Sequence, residues 1–109
     1  MTDYIQVSTT TGREEDARRI AEEMVNKRLA ACVQVIGPIT STYWWKGKIE
    51  KEKEWLCTMK TRRDLYESLE KAVKGIHPYE EPEIIAVPVV KGSRGYLDWV
   101  DREVKKSGA

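Results

Sequence analysis

The run Ala31–Thr61, "ACVQVIGPITSTYWWKGKIEKEKEWLCTMKT", reverses direction once, and the plan of the chain follows from how it is read. Apolar and β-branched residues recur at steps of two, the period of a strand whose side chains alternate between faces. Lys46-Gly47 offers the two-residue turn that joins antiparallel strands. On the returning strand Ile49, Trp55, Cys57 and Met59 share one side, and Glu50, Glu52, Glu54 and Leu56 the other. A turn that pairs Trp45 with Lys48 sets Val35 beside Thr58 and Val33 beside Lys60 if pairing is uninterrupted, which mixes the apolar face. One extra residue in a bulge at Gly37-Pro38, where proline removes a ladder N–H, moves Val33 and Val35 to the face of Cys57 and Met59. The expectation is a bulged hairpin too long for its helices to cover, projecting past the sheet from Thr40 to Lys53.

Working outward, "YIQVST" (residues 4–9) has the β-branched content of a strand, and Thr11 lies three residues before Glu14 in the spacing of a capping box. A helix should start there, with Ala17, Ile20, Ala21, Met24, Val25 and Leu29 on its inner face. Past the hairpin, Thr61 precedes Asp64 as a second cap. Leu65, Leu69, Ala72, Val73 and Ile76 form the next helical stripe, and Gly75 is placed to end it. The run "EIIAVPVVK" (residues 83–91) reads as a strand buried on at least one face, with Pro88 limiting its ladder. A last helix places Tyr96, Leu97, Val100 and Val104 inward and Trp99 off the stripe. This order predicts an α+β fold of the ferredoxin-like βαββαβ kind with one extra C-terminal helix, as a single domain over residues 1–109.

Composition narrows the function. The chain has 34% charged residues and a net charge of +1, which speaks against a polyanion binder, and no strand offers the paired aromatics in a basic setting that single-stranded RNA requires. The first ten residues lack the basic start and apolar run of a secretion signal, and no segment has the length to span a bilayer, so a cytoplasmic location without membrane contact is expected. Cys32 and Cys57 lack metal-site spacing and read as reduced thiols. The hairpin holds three of the four tryptophans, and Trp44-Trp45 point to both faces while one helical layer covers only one. An oligomer accounts for this surplus.

Chemistry is sparse. The chain has one histidine, and neither a nucleophile elbow nor a glycine-rich phosphate loop accompanies it, so no catalysis is expected. His77-Pro78-Tyr79 with Glu80, Glu81 and Glu83 is the place where ligand types gather. Two readings compete there: imidazole and carboxylates around zinc or copper(II), or a ring bonded to a backbone carbonyl beside solvated glutamates. Arg62, Arg63, Lys91 and Arg94 could line a cleft for an anion or could be ordinary surface.

Three blocks, "KRLAACVQV" (residues 27–35), "YWWKGKIEKEKEW" (43–55) and "HPYEEPEII" (77–85), resemble in order and spacing the signature blocks of the CutA family of divalent-cation tolerance proteins. The resemblance runs over nearly the whole chain. It implies a ferredoxin-like subunit in a compact homotrimer whose neighbouring hairpins pair into continuous sheets. The tryptophans would then sit where a hairpin meets the next subunit, and the Lys/Glu alternation would supply cross-strand charge pairs. It also implies a part in tolerance of divalent cations, copper among them, with His77 at a matching metal position. Copper-tolerance members are associated with a second adjacent histidine and a first-strand cysteine, and the matching positions here are Ile76 and Thr9. Weak binding of copper(II) or zinc, not required for folding, is the resulting expectation. The competing class is a trimeric sensor of small molecules or anions, with ligand clefts between subunits.

Overall fold

In the computed structural model, which describes residues 3–106, the hairpin has the predicted register. Strands β2 (Cys32–Trp45) and β3 (Lys48–Arg62) are joined by Lys46 and Gly47, whose positive φ values of 48° and 79° are those of a tight primed turn. Trp45 pairs with Lys48, the register shifts between Ile36 and Ile39, and beyond the shift Val35 faces Cys57 and Val33 faces Met59. The extra residue lies at Gly37-Pro38, joined by a cis peptide bond. A Cβ added to Gly37 would come within 2.8 Å of Trp55 Cγ, so the bare backbone at the bulge leaves the indole ring its place.

Around the hairpin stand β1 (Tyr4–Thr11), α1 (Glu14–Asn26), α2 (Tyr66–Ile76, after a short 3-10 turn at Arg63–Leu65), β4 (Ile85–Pro88) and α3 (Arg94–Glu103). The strands form one antiparallel sheet in the order β2-β3-β1-β4, the ferredoxin-like arrangement with an added C-terminal helix. Ile5 and Val7 of β1 and Cys57 and Met59 of β3 meet Ala17, Ile20 and Met24 of α1 and Leu69 and Val73 of α2 in one buried cluster. Each large side chain there contributes roughly 1.5–3 kcal/mol relative to exposure. β1 ends where Thr11 faces Trp55, so β3 from Lys48 to Glu54 extends beyond it with β2 as the projecting arm. The molecule is accordingly elongated, 43 × 26 × 21 Å.

Several local expectations are corrected. Neither threonine caps a helix. The Thr11 hydroxyl donates to the Arg13 carbonyl at 2.7 Å, and that of Thr61 to the Leu29 carbonyl at 2.6 Å. Both residues are buried strand positions, where nearby carbonyls take the hydroxyls. Gly75 lies inside α2, which continues to Ile76. Tyr96 is exposed and packs its ring 5.6 Å from that of Trp99, and Val25 is exposed, whereas Val100 and Val104 are buried as expected. β4 pairs only with β1, and Ile85 and Val87 remain 53% and 49% exposed, so the expected burial of this strand does not arise within the chain. On the arm, Trp44 is 72% and Trp45 56% exposed.

Candidate functional site

His77 stands at the C-terminal cap of α2, its backbone N–H bonded to the Val73 carbonyl at 2.8 Å. The residue is only 8% exposed. Nε2 lies 2.8 Å from the Thr10 carbonyl, and the Tyr79 backbone N–H donates to Nδ1 at 3.0 Å. A carbonyl can only accept and an amide can only donate, so the ring is the neutral tautomer protonated on Nε2. Burial lowers its pKa below the ordinary imidazole value, against smaller opposing effects of the Thr10 bond, Asp16 and Glu54.

Tyr79 continues the anchoring. Its ring packs 4.9 Å from that of His77, and its hydroxyl donates to Glu54 Oε2 at 2.7 Å. Burial and the Glu54 carboxylate both raise the phenol's pKa, which keeps the proton on the donor. The Tyr79 hydroxyl would lie 3.1 Å from a Cβ placed on Gly12, so the bare backbone there leaves room for it. The loop after α2 is thus strapped to the end of β1 and the base of the arm. Glu54, which is buried, is the partner that sequence reading missed. Nothing local marks it among the alternating glutamates, because Tyr79 lies far along the chain.

The other acidic residues of the loop do not join His77. Glu80, Glu81 and Glu83 are exposed, and among the described residues no three His, Cys, Asp or Glu side chains gather as a metal-binding group. Thr9 is fully buried on β1 with its hydroxyl unpartnered, and Ile76 is partly buried against the core. A metal at His77 would need the Nδ1 lone pair that holds the Tyr79 amide, or Nε2 after loss of its proton and the Thr10 bond. The closed loop therefore does not present a ready donor set. Both cysteines are free; Cys57 is buried, its thiol donates to the Ala17 carbonyl at 3.5 Å, and burial pushes its pKa up to about 11.

The basic residues separate. Arg62 and Arg63 line an open cleft of about 1020 Å3 beside Tyr4, Tyr66 and Pro88, but Lys91 and Arg94 do not. Arg62 is held by Asp64 at 2.5 Å and Asp101 at 2.8 Å, and Asp3 and Glu67 add two more carboxylates. Within the chain the four cations do not share this cleft, and carboxylates outnumber the two arginines that line it.

Fold and site together define a class: a ferredoxin-like domain with a projecting aromatic arm and a histidine-anchored loop. The chain belongs to the family described as "CutA1 divalent ion tolerance protein", whose sequence profile matches residues 5–103. It is 44% identical over 94 residues to the "Divalent-cation tolerance protein CutA" of Thermus thermophilus, covering 86% of this chain and 91% of that one. It is 49% identical over 98 residues to human "Protein CutA", covering 90% of this chain but 54% of the human one. The solved CutA1 structure from Oryza sativa superposes with a TM-score of 0.94 at 37% identity, covering 97% of each chain. That from Thermus thermophilus gives 0.91 at 40% identity, covering 94% of this chain and 99% of that one. The family is named for divalent-ion tolerance and not for a reaction. No helix among the described residues is long and apolar enough to cross a membrane.

Proposed function

We propose that the protein serves divalent-cation tolerance as a cytoplasmic homotrimer, by assembly and weak metal binding and not by catalysis. The observation that carries this reading is the arm: Trp44, Trp45, Ile49 and Tyr43 are exposed together on one projecting hairpin, a concentration of apolar surface that a lone subunit leaves in water. A neighbouring copy would cover it. Metal binding is weak because copper(II) or zinc must displace a hydrogen bond of His77 to reach its ring, and Thr9 and Ile76 bring no soft donor beside it.

The acid-lined cleft beside Arg62 weighs against an anion-sensing role for that surface. Location differs among relatives, which carry the names "Protein CutA 1, chloroplastic" in Oryza sativa and "Periplasmic divalent cation tolerance protein" in Archaeoglobus fulgidus. Calorimetric titration of the metal-free protein with copper(II) and with zinc, alongside sedimentation, tests the reading. A trimer that binds weakly, with affinity falling as pH drops and lost in His77→Ala, is the expected result. Tight stoichiometric copper binding that survives His77→Ala would move the site elsewhere.

A further inference from the structure

His77 carries part of the arrangement that a metal-binding imidazole needs. Such rings usually donate one N–H to a carbonyl or carboxylate, which fixes the tautomer and aims the lone pair of the other nitrogen at the cation. Here Nε2 is engaged in this way by the Thr10 carbonyl at 2.8 Å, so the lone pair is on Nδ1. That lone pair is capped by the Tyr79 backbone N–H at 3.0 Å. The side chain of the same residue holds the cap in place: the Tyr79 ring packs 4.9 Å from the imidazole, and its hydroxyl donates to the buried Glu54 carboxylate at 2.7 Å. The loop is pinned at its two ends, by the His77 N–H on the Val73 carbonyl and by the Tyr66 hydroxyl on that of Ile84. Between these pins, the hydrogen bonds among the described residues that hold it are both made by Tyr79.

We propose that Tyr79 is a latch on the cation site at His77: while its hydroxyl is bound to Glu54 its amide blocks Nδ1, and a divalent cation binds there when the latch opens. This rests on the reading of His77 as the metal position and specifies what regulates it. Opening leaves the Thr10 bond intact, so the ring keeps the tautomer and orientation that coordination through Nδ1 requires. Glu80 and Glu81, exposed on the same loop, add negative charge beside the freed nitrogen. Closed and open loops differ by the two Tyr79 bonds, and a cation that binds only the open one has its affinity lowered by the open fraction. The bond to Glu54 is charge-assisted and is the stronger kind of the two, so it supplies most of the advantage of the closed loop.

Zinc, which is diamagnetic, tests the latch by calorimetric titration and by nitrogen NMR of the imidazole at about pH 7.5, where proton competition for the ring is small. Tyr79→Phe keeps the aromatic ring and the amide and removes the hydroxyl, and circular dichroism checks its fold. It should bind zinc about tenfold more tightly than the wild type, as the open fraction rises by that factor, and the gain should vanish when His77→Ala is added. In the wild type, saturating zinc should shift the Nδ1 resonance, leave the proton on Nε2 and quicken hydrogen exchange at the Tyr79 amide, a readout that needs no variant. Equal His77-dependent affinity in the wild type and Tyr79→Phe, or coordination through Nε2, would overturn the latch and leave the metal reading standing. No binding that depends on His77, in either background, would defeat the metal reading and the latch with it.

Discussion

At the scale of single residues, Gly37 and His77 show what side-chain identity decides. A methyl group at Gly37 must push against the Trp55 indole, a rigid ring with little room to yield. Gly37→Ala should cost about 1–3 kcal/mol, read as a lower urea midpoint at unchanged slope. His77 is buried in its neutral form, so its folded pKa lies below the unfolded value of about 6.5. Its contribution to stability is complete above that value and is lost as pH falls through the folded pKa, because the unfolded chain takes up the proton first. The urea midpoint should thus hold steady above neutrality and drop in mild acid, and His77→Ala should flatten that part of the profile. In the sequence the ring's bond to a carbonyl was one of two open readings. Which carbonyl, and that a second nitrogen is also engaged, depend on where Thr10 and Tyr79 come to lie.

At the scale of elements, the hairpin was legible and the caps were not, for the same reason. Turn, bulge and register are fixed by a period of two meeting a buried face, and that information is local to Ala31–Thr61. The fate of the Thr61 hydroxyl is not local: it serves Leu29, in the loop between α1 and β2. The exposure of β4 is likewise unreadable from "EIIAVPVVK", since composition tells how apolar a strand is and not whether anything covers it. The strap from Tyr79 to Glu54 joins a loop to a strand through one bond. Tyr79→Phe leaves the buried carboxylate short of a donor and should cost about 1–3 kcal/mol. Hydrogen exchange at the Tyr79, Glu80 and Glu81 amides should quicken while the core strands keep their protection.

At the scale of the whole molecule, the strand order and the helical layer were accessible from periodicity, whereas how much apolar surface the arm and β4 leave exposed depends on what the rest of the chain covers. Assembly should make the melting temperature rise with protein concentration, as mass action requires when the folded state is a trimer. A melting temperature independent of concentration over two decades, with a monomer mass in solution, would refute it. The early end of β1 has a further consequence. Because β1 stops opposite Trp55, the backbone of β3 from Lys48 to Glu54 has an unpaired edge on that side as well as a charged side chain at nearly every position. Bare strand edges recruit other chains into amyloid-like stacks, and charged side chains along them raise the cost of that recruitment. In a newly made chain the same lysines and glutamates should therefore act as gatekeepers, and replacing Lys51 and Lys53 by valine should make the chain form thioflavin-binding fibrils on heating.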